Sequence, residues 1–171
     1  MQETTAHPSP VQVREGLRNL EWARGLLLEM AKATPDERFY ELPAEHGNHA
    51  AWNLGHIAVT DDLVRNALAG GDAVLPTEWH EMFKGGSTCK PGAEGHPSRE
   101  ELLDALARAR AALVAWFGGM NESELAEPLT GGLAQLAADR AMLMGSLAGH
   151  EAFHAGQMSA ARRVFGMPPL F

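Results

Sequence analysis

Four long stretches of this chain repeat apolar residues at three- and four-residue intervals, and no stretch alternates with period two for long enough to make a strand. A helix with one apolar stripe must bury it against others, so the pattern predicts an all-α fold, most naturally a four-helix bundle. The first helix is expected from about Pro10 to Ala33, with Ser9 as its cap, Val13, Leu17, Leu20, Leu27 and Met30 on its stripe, and Pro35 beyond its end. The second begins after Asn48, a candidate cap, carries Trp52, Ile57, Val64 and Leu68, and stops at Gly70-Gly71. Ser98 with Glu101 three residues on forms a capping box for the third, whose stripe of Leu102, Leu106, Ala109, Leu113 and Trp116 runs to Gly118-Gly119. The last pattern runs from Leu133 to Phe165, roughly 50 Å if unbroken against roughly 35 Å for the first two helices, so a break is expected near Gly145 or Gly149.

Between the second and third helices, Gly70 to Pro97 lacks sustained periodicity apart from one short helical piece around Thr77 to Phe83. Structureless connections that long are uncommon and tend to be functional or to cross the domain. A crossover here leaves helices two and three parallel and helix four antiparallel to helix two.

At 171 residues the chain has the length of one domain, taken as residues 1–171, with a single site to find. Its net charge of -8 argues against nucleic acid and anionic membranes as partners, since both reward clustered Lys and Arg. Met1 to Pro10 is polar and no 18 apolar residues run uninterrupted, so a soluble, cytoplasmic protein is expected. Cys89 is the only cysteine, which removes disulfides and cysteine clusters and leaves histidines and carboxylates as the metal ligands. Beside Lys90 its thiol pKa would be lowered, although a lone loop cysteine is more often incidental.

The histidines follow a pattern. Gly149 to Gln157 reads Gly-His-Glu-Ala-Phe-His-Ala-Gly-Gln, and on a helix His150 and His154, four apart, point the same way and offer two nitrogens to one transition metal. Ala152, Ala155 and Gly156 leave room for a neighbouring helix, and Gly145 with Gly149 reads as a second close-packing pair. For a third ligand, His7, His80 and His96 lie near ends or in connections, whereas His49 and His56 lie on or beside helix two, separated by about 10 Å along its axis. His56, well inside the helix, is the better candidate. It lies about 12 Å from the start of helix two and His154 about 16 Å from the end of helix four, levels that agree if the two helices are antiparallel.

Trp52-Asn-Leu-Gly-His56-Ile and Gly149-His-Glu-Ala-Phe-His-Ala-Gly-Gln157, followed by Arg162-Arg163-Val-Phe-Gly-Met-Pro-Pro, resemble the DinB/YfiT-like superfamily of bacterial metal-binding helical bundles. The resemblance implies an up-down-down-up bundle with a three-histidine metal site on His56, His150 and His154, and it suggests a homodimer. Several relatives use low-molecular-weight thiols such as bacillithiol or mycothiol in transferase reactions, so the resemblance implies a metal-dependent thiol transferase acting on a small-molecule substrate. Hydrolysis at the same centre, or a catalytically silent metal- or small-molecule-binding bundle, are the alternatives. Zinc suits a three-histidine site best, and nickel or iron bind similar ligands.

His150-Glu-Ala-Phe-His154 also matches the zinc-protease pattern, but a metzincin continues with glycine and histidine where this chain has Gln157 and Ala160, and no acid follows Glu151 to serve as a gluzincin ligand. Glu151 is a candidate for holding a ligand or acting as a base, with a solvated surface charge slightly favoured. Asn53, three before His56, and Gln157, three after His154, are candidates to meet a ligand or a bound molecule.

Overall fold

The computed structural model describes residues 10–45 and 47–170. Among them there is no strand, only an isolated antiparallel bridge between Pro128 and Asp139, and the helices are α1 (Pro10–Lys32), α2 (Ala50–Ala69), α3 (Thr77–Phe83), α4 (Arg99–Gly118), α5 (Glu122–Leu125) and α6 (Arg140–Val164). Single 3₁₀ turns cover Asp36–Arg38 and Gly131–Gln135. The expected cap at Ser9, and His7 and His46, lie outside the described residues.

Local chemistry sets most boundaries. At α4 the Ser98 hydroxyl accepts from the Glu101 N–H while the Glu101 carboxylate accepts from the Ser98 N–H, the reciprocal box its sequence predicts. Gly70 ends α2 with φ 71°, a left-handed conformation that glycine adopts without steric cost. Two expectations are corrected. The cap of α2 is His49, not Asn48: its ring Nδ1 accepts from the Trp52 N–H at 2.9 Å. The break in the last helical pattern falls before Asp139 rather than at Gly145 or Gly149, because the Asp139 carboxylate accepts from the Met142 N–H and starts α6 afresh, which then runs unbroken to Val164.

The long helices meet at defined levels. A Cβ on Gly16 of α1 would lie 3.1 Å from Met144 near the start of α6, and at the other end Arg162 of α6 donates to the Ala33 carbonyl just past α1. Arg24 of α1 donates to the Leu106 carbonyl of α4, and Arg110 of α4 donates to the Leu20 carbonyl of α1. Tyr40 before α2 donates to the Pro97 carbonyl before α4. The connection after α2 runs back along that helix: Val74 and Leu75 N–H groups and His80 bond the Asp62 carboxylate, Ser87 accepts from the Trp52 indole, and the Lys90 carbonyl meets the His49 ring.

The core falls into two apolar clusters. One packs Leu27, Trp52, Ile57, Phe83, Leu102, Leu106 and Met158; the other packs Leu20, Leu113, Phe117, Leu125, Leu143 and Leu147. Between them, along each of the four long helices, sits one charged residue: Arg24, Asp61, Arg110 and Glu151. Asp61 bonds both arginines, at 3.0 Å from Arg24 and at 2.8 and 3.2 Å from Arg110, and Glu151 bonds Arg24 and, at 2.6 Å, Arg110. Two cations face two carboxylates, so the layer is neutral and ties all four helices together. Burial works against the Arg110 charge, but Asp61 and Glu151 outweigh it and raise its pKa above the ordinary value.

Close approach in this bundle uses other glycines than those expected. Gly145, Gly149 and Gly156 are exposed, with open space where a Cβ would stand, so they bring no neighbouring helix near. Gly55 does: a Cβ there would lie 2.6 Å from the Phe83 ring, so its absence seats α3 against α2 one residue before His56.

Candidate metal centre

His56, His150 and His154 converge, with one ligand nitrogen from each and all three within 4.8 Å of one another. His56 comes from α2 and the other pair from successive turns of α6. The Nε2 atom of His150 lies 3.2 Å from Nε2 of His56 and 3.2 Å from Nε2 of His154. Nitrogens bound tetrahedrally at about 2.0–2.1 Å from zinc stand roughly 3.3 Å apart, so His150 already has that separation from each of the other two rings, while the His56–His154 pair lies within 4.8 Å.

Their outer nitrogens are tied to the protein. His56 Nδ1 lies 2.7 Å from the Phe83 carbonyl, and His154 Nδ1 lies 2.7 Å from Asn53 Oδ1. A carbonyl only accepts, which puts the His56 proton on Nδ1 and leaves Nε2 with a lone pair. The Asn53 amide is oriented by its own Nδ2, which donates to the Asn48 and His49 carbonyls, so its oxygen must face His154 and fixes the same tautomer there. Two lone pairs therefore aim at the third ring with at most one proton among them, an arrangement that a cation satisfies. Trp52 stacks on His56, ring centroids 4.8 Å apart and planes within 9°, and shields that face.

Electrostatics keeps the imidazoles neutral, the form that binds metal. Burial lowers the pKa of all three; repulsion from His56 adds to it at His150 and His154, and His154 is pushed down to about 3. His56 and His154 are buried and His150 is half-buried, so His150 is the most exposed of the three, and the exposed Phe153 ring packs edge-on against His154.

Sequence candidates fare differently around this centre. Asn53 is completely buried and holds His154. Gln157 is half-buried one turn beyond His154 and is not among that histidine's hydrogen-bond partners. Glu151 is neither a solvated charge nor a free base: it is 0% exposed, with both oxygens held by Arg24 and Arg110. His49, the rejected alternative ligand, is the α2 cap and meets the Lys90 carbonyl. Burial pushes the Cys89 thiol up, overriding any influence of Lys90, and only a backbone contact with His49 opposes it. Sequence reasoning missed Phe83, whose carbonyl holds His56 from 27 residues away, and Arg24, Asp61 and Arg110 beneath α6.

Comparison with known proteins agrees with this architecture. A solved structure described as a conserved protein from Enterococcus faecalis superposes with a TM-score of 0.65 at 20% identity, covering 88% of this chain and 95% of that one, a likeness of fold. No curated protein matches this chain. The family model of the DinB superfamily matches residues 19–158, and the chain belongs to that superfamily.

Proposed function

We propose that this chain is a divalent-metal protein, with zinc as its preferred ion ahead of nickel or iron, and that it transfers a low-molecular-weight thiol to an electrophilic small molecule in the cytoplasm. The observation that carries the reading is the convergence of three Nε2 atoms whose outer nitrogens are anchored by Phe83 and Asn53. No fourth His, Cys, Asp or Glu among the described residues joins the group, as expected of an open rather than a structural site. When bound, the ion supplies Lewis acidity at the position the imidazoles leave free.

The chain's own residues have distinct tasks. Asn53 and the Phe83 carbonyl hold two rings in one tautomer and orientation, so no proton competes with the ion. Trp52 covers His56 and keeps water off its face. Glu151, spent on two guanidiniums, takes no proton from a substrate, so the proton released when the thiol sulfur bonds carbon leaves to solvent together with the displaced group. Neutral ligands leave the site's positive charge intact, which suits a thiolate, and holding both reactants together supplies much of the acceleration.

We read the four long helices as up-down-down-up, a reading supported by the paired levels of α1 with α6 and by the connection lying along α2. A homodimer is part of the proposal, supported by exposed Met142, Phe153 and Val164 along α6. Light scattering that finds only monomer at high concentration refutes that part.

Metal-loaded protein incubated with bacillithiol, mycothiol, glutathione or coenzyme A and a chlorobimane electrophile should form a conjugate, and His154→Ala should lose both metal and activity. Metal-dependent ester or amide hydrolysis without conjugation to any of these thiols would overturn thiol transfer in favour of hydrolysis. Full stoichiometric metal in His56→Ala would overturn the ligand assignment.

A further inference from the structure

A second candidate site lies away from the histidines. It is a cleft of about 1060 Å³ between α1 and α4, walled by Val13, Leu17, Leu28, Leu103, Leu106 and Val114. α1 and α4 pack mainly on other helices and bridge to each other through Arg24 to the Leu106 carbonyl and Arg110 to the Leu20 carbonyl, which hold them at a distance and leave the cleft open. Met120, Asn121, Glu122 and Leu125, from the turn after α4 and from α5, contribute to its lining at the end where α1 begins.

We propose that this cleft is a binding site for a neutral, predominantly apolar small molecule, either a ring system or an acyl chain. Its volume matches the upper end of small-molecule pockets, about 300–1,000 Å³, which are mostly apolar with a few fixed polar groups. The floor selects against charge. Arg24 and Arg110 lie there, but every nitrogen of both guanidiniums already donates to Asp61, Glu151 or a main-chain carbonyl, and two carboxylates match the two cations. A carboxylate or phosphate entering the cleft would lose its water and meet guanidiniums whose charge Asp61 and Glu151 already balance, whereas an uncharged apolar body loses nothing by leaving water. Charge at the mouth is mixed, with Arg14, Arg18, Glu21 and Glu122, so the rim does not draw in an anion either.

The site makes no use of the three histidines and is tested independently of them. Full-length protein is titrated with N-phenyl-1-naphthylamine, a neutral fluorophore that brightens in apolar surroundings, and then with decanol or decanoate as competitors. One saturable site per chain is expected, unchanged in His154→Ala, with decanol displacing the probe at least tenfold better than decanoate. Ala107 and Ala111 are exposed positions on the cleft wall, so Ala107→Phe and Ala111→Phe fill the mouth without entering the core. Each should weaken binding at least tenfold, while Ala160→Phe, on the exposed face of α6, should leave it unchanged. Circular dichroism establishes that the variants are folded. Absence of saturable binding, equal affinity in the Phe variants, or better displacement by decanoate would each overturn the proposal. So would a dimer in light scattering that Ala107→Phe converts to monomer, because the cleft would then hold a second copy.

Discussion

Glu151→Gln removes one negative charge from the centre of the bundle while keeping the side chain's shape. In the native chain each oxygen of Glu151 accepts from a different guanidinium, at 0% exposure. Glutamine keeps one acceptor and turns an N–H₂ group towards the other arginine, so a donor faces a donor and Asp61 alone is left to balance Arg24 and Arg110. Removing one member of a buried ion pair costs about 3–5 kcal/mol, because the partner's charge stays buried and uncompensated. Against the roughly 5–15 kcal/mol that holds a domain together, the variant should fold but with a large part of its stability gone. Urea unfolding followed by circular dichroism reads this as a lower midpoint at unchanged slope. Glu15→Gln, which breaks only the exposed pairs with Arg14 and Arg18, serves as the control and should leave the midpoint unchanged. Adding Arg110→Met to Glu151→Gln restores neutrality, with Arg24 opposite Asp61, so the double variant should be clearly less destabilised than the sum of the single changes. A loss below about 1 kcal/mol for Glu151→Gln, or strict additivity in the cycle, would refute the account of a charge-balanced layer.

Asn53→Ala should lower metal affinity about 10- to 100-fold, since it frees the His154 ring and strands its Nδ1 proton, and Asn53→Asp should lose less; competition with a chromophoric chelator measures both. Gly55→Ala should cost about 1–3 kcal/mol, because the new Cβ would stand 2.6 Å from the Phe83 ring, and should also reduce metal content through the Phe83 carbonyl. Gly149→Ala, in open space on α6, should instead stabilise by about 0.5–1 kcal/mol, and thermal melts separate the two outcomes. Burial pushes the His49 pKa down from 6.5 to about 4, so on acidification the unfolded chain takes up this proton before the folded one does. The contribution is full above pH 6.5 and is lost as pH falls towards 4; in the chelated protein, His49→Asn, which keeps a capping oxygen, should flatten the acid limb by up to about 1.4 kcal/mol per pH unit. An unchanged acid slope in that variant would place the titration elsewhere.

The sequence by itself determined the helices and the convergence of two ligands, because both are written in short-range spacing. Periodicity, the Ser98–Glu101 box and Gly70 mark boundaries through bonds within a few residues, and His150 and His154 share a face by helix geometry alone. His49 as the cap of α2 was less legible, since an imidazole that accepts from a main-chain N–H looks no different in sequence from a candidate ligand. The start of α6 was legible at Asp139 but was masked by the apolar, alanine-rich residues before it, which mimic a continuing stripe. Tertiary structure alone decided the role of Glu151. Its neighbours one turn away are apolar or buried, in the order Leu147, Glu151, His154, and the same spacing recurs as Leu20, Arg24, Leu27, as Ile57, Asp61, Val64 and as Leu106, Arg110, Leu113. Each triplet signals a charge on a buried stripe, yet the sequence of one helix cannot say whether that charge meets water or a partner. The answer depended on four helices bringing two cations and two carboxylates to one level, a long-range coincidence with no local trace. The same holds for the Phe83 carbonyl that orients His56, because a main-chain oxygen has no side-chain identity by which a sequence can announce it.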